Sequence, residues 1–386
     1  MTEIAAPAAP APARPLRSLP SMLLAGLLMS CCAVLLPGFE RYQAGYAGWA
    51  AGLSTAAGGL LALQLAHLVP LLPGRVAGVA PTLLVVGTGP LLRVRRGRRT
   101  TVAFHAVPFP LLWAHGSVVA RAGLRSRLAV LALGRVAVGL GVAELLLLSG
   151  HPFLWGVGRG MVLFTVIGLV LWAGGRKAGH LGWWPAPVWN RDEAGARALD
   201  PVGLATARAL AGGDLERAHA ELGDPAGTLT PLQLRVALAV AEGRCAEALR
   251  LATQGHGTEP DEELRLLAAR AACHAVESGE LSVDDAQPAL RLLHAHGPRR
   301  LLRSSELPAT RALLTGSPAE AVRPARRALS LPLDLTTRGY ALCTLAAAQA
   351  RAGDLAGAAA SLGRARTCAP GLARIGVVEG LISSSS

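Results

Sequence analysis

Residues 81–109, PTLLVVGTGPLLRVRRGRRTTVAFHAVPF, decide how the rest of the chain is read. β-Branched residues, Gly and Pro dominate this stretch, and Gly97-Arg98 separates two strand-like runs. That pattern predicts a β-hairpin over about 81–110, or a re-entrant segment lying against a membrane. Long apolar runs stand on both sides of it, so the bilayer enters the argument at once. Non-helical backbone at membrane depth is tolerated only where protein covers it. The hairpin is therefore expected to pack against the helix that carries His67.

Working outward, apolar runs fall at about 19–36, 46–72, 128–148 and 153–172. Each is close to the ~20 residues that a helix needs to cross the hydrocarbon core. Arg14 and Arg17 precede the first run, basic residues from Arg75 to Arg127 follow the second, and Arg176 and Lys177 follow the fourth. The opposite loops, 37–45 and 150–152, hold only Arg41 as a positive charge. The positive-inside rule then predicts four crossings with both termini cytoplasmic, in a bacterial plasma membrane. Residues 1–18, rich in Ala and Pro, are expected to form a disordered tail. Glu144, the one acid in the later apolar runs, reads as an interfacial residue near its helix end, or as an intramembrane functional group. The six Cys lack metal-ligand spacing and read as small reduced apolar residues.

Composition supports a two-domain chain. The 386 residues are 52% hydrophobic and 16% charged, with mean hydropathy +0.40, too apolar for one soluble domain and incompatible with a disordered chain. Residues 1–190 carry 16 Lys+Arg against 3 Asp+Glu, whereas residues 191–386 carry 22 of each. The positive excess thus sits beside the apolar runs, where anionic lipid is its natural counter-charge. The cluster Arg93, Arg95, Arg96, Arg98 and Arg99 lacks the interleaved aromatics of a base-stacking surface, so no nucleic-acid partner is expected. Trp183, Trp184 and Trp189 read as an interfacial belt. The sequence predicts a transmembrane domain over 19–190 and a separate helical domain over 191–386.

That second domain repeats. A Gly-x-x-x-x-Ala marker begins at Gly213, Gly243, Gly316 and Gly353, with a looser copy at Gly279. The spacing is that of helix–turn–helix units, and it predicts a cytoplasmic α-solenoid. In the last copy Leu342, Leu345 and Ala346 sit at packing positions of a first helix, Gly353 at the turn, Ala358, Leu362 and Ala365 on a second helix, and Pro370 at the end. This copy resembles the tetratricopeptide repeat, with Gln349 standing where that family usually has an aromatic residue. The resemblance implies either a concave surface that binds a protein or peptide, or a plain solenoid that only packs on the membrane domain.

Residues 45–195 carry a second resemblance, one of layout. A helix bearing His67 is followed by Gly87-Thr88-Gly89-Pro90, a basic hairpin, Pro108, further apolar helices and Pro185. This order resembles the site-2 protease family of intramembrane zinc metallopeptidases. The resemblance implies a zinc site built on a His-Glu-x-x-His helix with a distal Asp. Here His67 stands at the first His, but Leu68 replaces the catalytic Glu, Leu71 the second His, and Asn190 the Asp, with Asp192 close by. Only His67 survives as a metal candidate, with His105 and His115 able to approach it if the hairpin folds back. Zinc hydrolysis needs about three protein ligands and an activated water. The expectation is therefore a catalytically inactive relative, mainly α with one β-hairpin, that uses no cofactor and scaffolds a cytoplasmic partner through its repeats. Two alternatives stay open: a divergent active zinc metallopeptidase using His67, and a membrane-tethered repeat scaffold unrelated to any protease.

Overall fold

The computed structural model describes residues 48–69, 78–97, 99–120, 122–173, 198–223, 232–254, 261–296, 305–314, 316–330 and 333–384. The expected tail at 1–18, the first expected crossing at 19–36, and the positions Pro185, Asn190 and Asp192 lie outside the described residues. Among the described residues the chain is mostly helical, with fourteen helices and one small sheet. Contacts divide it into two compact units, residues 1–63 with 136–178, and residues 64–135 with 179–386. The composition break near residue 190 is thus not where the contacts divide. The hairpin falls in the same unit as the repeat helices.

In the first unit lie most of α1 (Gly48–Leu68), the later part of α2 (Leu124–Leu148), and α3 (Pro152–Ala173). The segments Ala50–Leu68 and Ser126–Leu148 are long and apolar enough to cross a membrane, and Pro152–Ile167 is a shorter apolar stretch. Gly150 (φ 71°) turns the chain between α2 and α3, and Pro152 opens α3, where a missing N–H costs nothing. α1 and α3 cross with their backbones almost touching. A Cβ placed on Gly58 would sit 2.0 Å from the Val157 carbonyl oxygen, and one on Gly160 would sit 2.0 Å from that of Thr55. Only glycine permits this approach, the device by which apolar helices pack where solvent gives no driving force.

The second unit is built on β1 (Val79–Arg95) and β2 (Thr101–Val119), which pair antiparallel, with β3 (Ala198–Leu199) parallel to the end of β2. The strands run well beyond the expected 81–110. They are bent: Gly87 and Gly89 both have φ 86°, a conformation that costs a side-chain-bearing residue roughly 1–2 kcal/mol. The bend lets Leu84, Val85 and Val86 lie between two partners, Val102–Phe104 on one side and Leu112–Ala114 on the other. Arg93, Val94 and Arg95 then form an edge beside Phe104, Ala103 and Val102.

The two faces of this sheet have different duties. Leu83, Val85 and Ala103 are buried in the same apolar core as the C-terminal helices. Leu84, Val79 and Ala114 pack instead on Leu124, Leu128 and Leu131 of α2. At the β2 edge, the Leu112 backbone N–H donates to Gln64 Oε1 of α1 at 2.7 Å. This bond joins β2 to the helix that carries His67.

The C-terminal helices come in pairs: α4 (Pro201–Ala211) with α5 (Leu215–Leu222), α6 (Leu232–Ala241) with α7 (Cys245–Gln254), α8 (Asp261–Glu277) with α9 (Val283–His296), α10 (Leu307–Leu314) with α11 (Pro318–Leu329), and α12 (Leu335–Arg351) with α13 (Leu355–Cys368). A last helix, α14 (Arg374–Ser384), packs on α12 and α13. Each pair turns at a marker glycine: Gly213, Gly243, Gly279, Gly316 and Gly353 have φ between 66° and 87°. At four of them the next residue's N–H returns to the carbonyl five residues back, as in Asp214 to Ala209 and Asp354 to Gln349. This closes the helix end and requires a left-handed residue, so glycine is the cheapest choice. The Gly279 turn is looser, and Leu281 bonds to Ala275.

Candidate functional site

His67, the one metal candidate, is buried near the end of α1, and its electrostatic neighbours are Arg135 of α2 and His115 of β2. A guanidinium beside an imidazole opposes the capture of a second cation. His105 does not join them: its Nδ1–H donates to the Gly89 carbonyl at 2.7 Å. Among the described residues no group of three or more His, Cys, Asp or Glu side chains could hold a metal ion. A three-His site is therefore not assembled, and the described residues do not fit the catalytic zinc that the family layout implies. Glu144 is exposed near the end of α2. Cys245, Cys273, Cys343 and Cys368 are free and buried, and burial raises the first three thiols to about 12, far from a nucleophile's range.

The polar chemistry concentrates instead where the sheet meets the helices. Arg96 donates from Nε to the Gly212 carbonyl at 3.1 Å and from Nη2 to the Cys368 carbonyl at 3.2 Å, joining the hairpin to the first and last pairs together. Arg208 reaches the Pro81 carbonyl at 3.4 Å, and Arg217 the Gly97 carbonyl at 3.4 Å. The Gly89 carbonyl receives Arg338 of α12 at 3.5 Å as well as His105. Burial, with Arg338 nearby, holds the His105 imidazole below its usual range, although its bond to Gly89 opposes this. Guanidinium groups suit this task because they can donate to several carbonyls at once. A Cβ on Gly212 would lie 2.6 Å from Thr101 Oγ1 and 3.4 Å from Thr101 Cβ, so the Thr101 side chain sits directly against the Gly212 backbone.

A second polar cluster lies inside the repeat helices. Arg270 makes a two-point ion pair with Glu306, at 2.5 and 3.1 Å, and its guanidinium stacks 4.7 Å above the Tyr340 ring. Arg374, at the start of α14, makes the same kind of pair with Glu277 of α8, at 2.6 and 3.1 Å. It also donates to the Tyr340 carbonyl and to Thr344 Oγ1. His274 packs 5.0 Å from the Tyr340 ring. These side chains fill the space between the C-terminal helices. α12 is buried from Leu335 to Ala350 with only Thr337 half-exposed, and Ala373 at the head of α14 bonds to the Ala241 carbonyl of α6. Thr336 of α12 donates to the Leu210 carbonyl of α4, which ties the last helix pair to the first.

Sequence reasoning found His67 and the hairpin arginines but missed both networks. Tyr340, the only aromatic residue past Trp189, was the one available signal for the inner cluster. The partners of Arg96 and Arg374 are 272 and 97 residues away, beyond any local pattern. Compared with the models of known families, with curated proteins and with solved structures, the chain matches none.

Proposed function

We propose that this chain is a non-catalytic membrane anchor that carries a tetratricopeptide-like repeat domain on the cytoplasmic side of a bacterial plasma membrane and holds a protein partner there. In this reading the membrane part keeps the layout of a site-2 protease, crosses four times, and has lost the hydrolytic site. One observation carries the proposal: the sheet that follows α1 shares a single apolar core with the repeat helices, through Leu83, Val85 and Ala103. A protein that only tethers needs a flexible linker. Here the hairpin shares the core of the C-terminal helices and so belongs to their domain, which is more than a linker would do. The antiparallel hairpin of β1 and β2, where an unrelated scaffold is expected to have plain helix and loop, favours the protease-like layout.

Because α12 is buried along nearly its whole length, the partner is expected on exposed faces of the other C-terminal helices. Metal analysis of the purified full chain tests the loss of hydrolytic function. The expected zinc content is far below one ion per chain and unchanged in His67→Ala. Stoichiometric zinc that disappears in His67→Ala would overturn the reading in favour of a divergent metallopeptidase.

A further inference from the structure

The sheet is a layer with one face on the repeat helices and the other on the first turns of α2, and the second face is only partly covered. Register follows it outward from α2. Leu84, packed on Leu124 and Leu128, pairs with Val102, and Val102 pairs with the edge residue Arg95. One step along, Val86 pairs with Phe104, and Phe104 with Arg93. Pairing partners share a face. Arg93, Arg95 and Phe104 therefore lie on the α2 side of the sheet, about two strand spacings, roughly 10 Å, from Leu84. Val94 and Ala103, the alternating pair, face the repeat core. Phe104 is 39% exposed, and Arg93 and Arg95 are exposed. Residues 78–120 contain five arginines and no acid. On α2 itself, Leu128 and Leu131 press on the sheet while Val130 and Leu133 are 69% and 67% exposed. Those are the side chains that lipid would cover.

We infer that the sheet face bearing Arg93, Arg95 and Phe104 lies on the anionic headgroups of the leaflet that α2 enters. The inference rests on α2 being a membrane crossing. An aromatic ring flanked by arginines suits the interface, where the ring enters the acyl boundary and the cations meet phosphate.

Hydrogen–deuterium exchange on the full chain in nanodiscs tests this. Peptides spanning 91–105 should exchange several-fold more slowly in discs containing phosphatidylglycerol than in pure phosphatidylcholine, each arginine contributing roughly fivefold. Salt at about 0.5 M, which shortens the screening length to a few ångströms, should remove the difference. Arg93→Gln with Arg95→Gln should abolish it, and Arg93→Lys with Arg95→Lys should retain it. Peptides from 335–350 must stay unchanged in every variant, which shows that the fold is intact. If 126–148 is protected in discs but 91–105 exchanges equally in both lipids, the inference is wrong while the membrane reading stands. If 126–148 is not protected, the membrane reading fails and takes the inference with it. Protection of 91–105 by added duplex DNA in neutral discs, with none from the anionic lipid, would also overturn it.

Discussion

Tyr340 shows how much one side chain decides in a core made largely of Ala and Leu. Its ring is buried between Arg270 and His274, and burial drives its hydroxyl well above the ordinary range. Arg270 is tolerable there because Glu306, itself wholly buried, meets it at two points. Removing one member of such a pair leaves an uncompensated charge, so Glu306→Ala should cost about 3–5 kcal/mol in thermal or chemical unfolding. Replacing both, as Arg270→Met with Glu306→Leu, should cost much less. His274 adds a pH dependence. Burial, then Arg374, then Arg270, hold its folded pKa well below 6.5. Below 6.5 the unfolded chain takes up a proton that the folded chain refuses. Stability is therefore complete above about pH 6.5 and is lost as the pH falls towards the folded value. A melting-temperature series from pH 7.5 to 5.5 should fall, and His274→Gln should flatten it. None of these partners was legible in the sequence, because charged residues in helices read as solvated faces. Gln349 was noted as a departure from the repeat pattern. Its role is visible only in the fold: it accepts from Ser361 and donates to Asp354, which caps α13.

Elements were more legible than their partners, and the reason is local. A helix–turn–helix pair needs a left-handed residue at its turn, and glycine supplies one wherever it falls. The markers at 213, 243, 279, 316 and 353 therefore lie at turns. Hairpin and apolar helices were legible for similar reasons, their β-branched runs and their ~20-residue lengths. The strand ends were not, since pairing beyond residue 110 depends on α1 and α2 beside it. A matched pair of substitutions tests the turn argument. Gly353 (φ 84°) and Gly363, inside α13, both have open space around a new Cβ. Gly353→Ala should destabilise by about 1 kcal/mol through backbone strain alone. Gly363→Ala should stabilise by a few tenths to about 1 kcal/mol, through helix propensity. Equal effects from the two would refute the reading of the turn.

At the scale of the whole molecule, composition pointed to a boundary near residue 190, and the contacts do not follow it. The apolar, basic half and the neutral helical half differ in composition, but the hairpin, which lies in the first by sequence, falls with the second by contacts. Residues such as Leu83 and Val85 are equally apolar whether lipid or another helix covers them, so sequence alone cannot say which does. Their shared core with Leu210, Leu215 and Leu342 shows that the C-terminal helices are the cover. A fragment beginning at residue 195 would lack three residues of its own core, and any partner search should use the full chain. The most direct measurement is a cross-link between sheet and repeats. Thr101 Cβ and a Cβ built on Gly212 are 3.4 Å apart, close to disulfide geometry. In membranes holding the full chain with Thr101→Cys and Gly212→Cys, mild oxidation should join the two thiols nearly completely, with the buried native cysteines unreacted. Two thiols that stay open to alkylation after oxidation, in a folded chain, would mean that the sheet is not docked on the C-terminal helices.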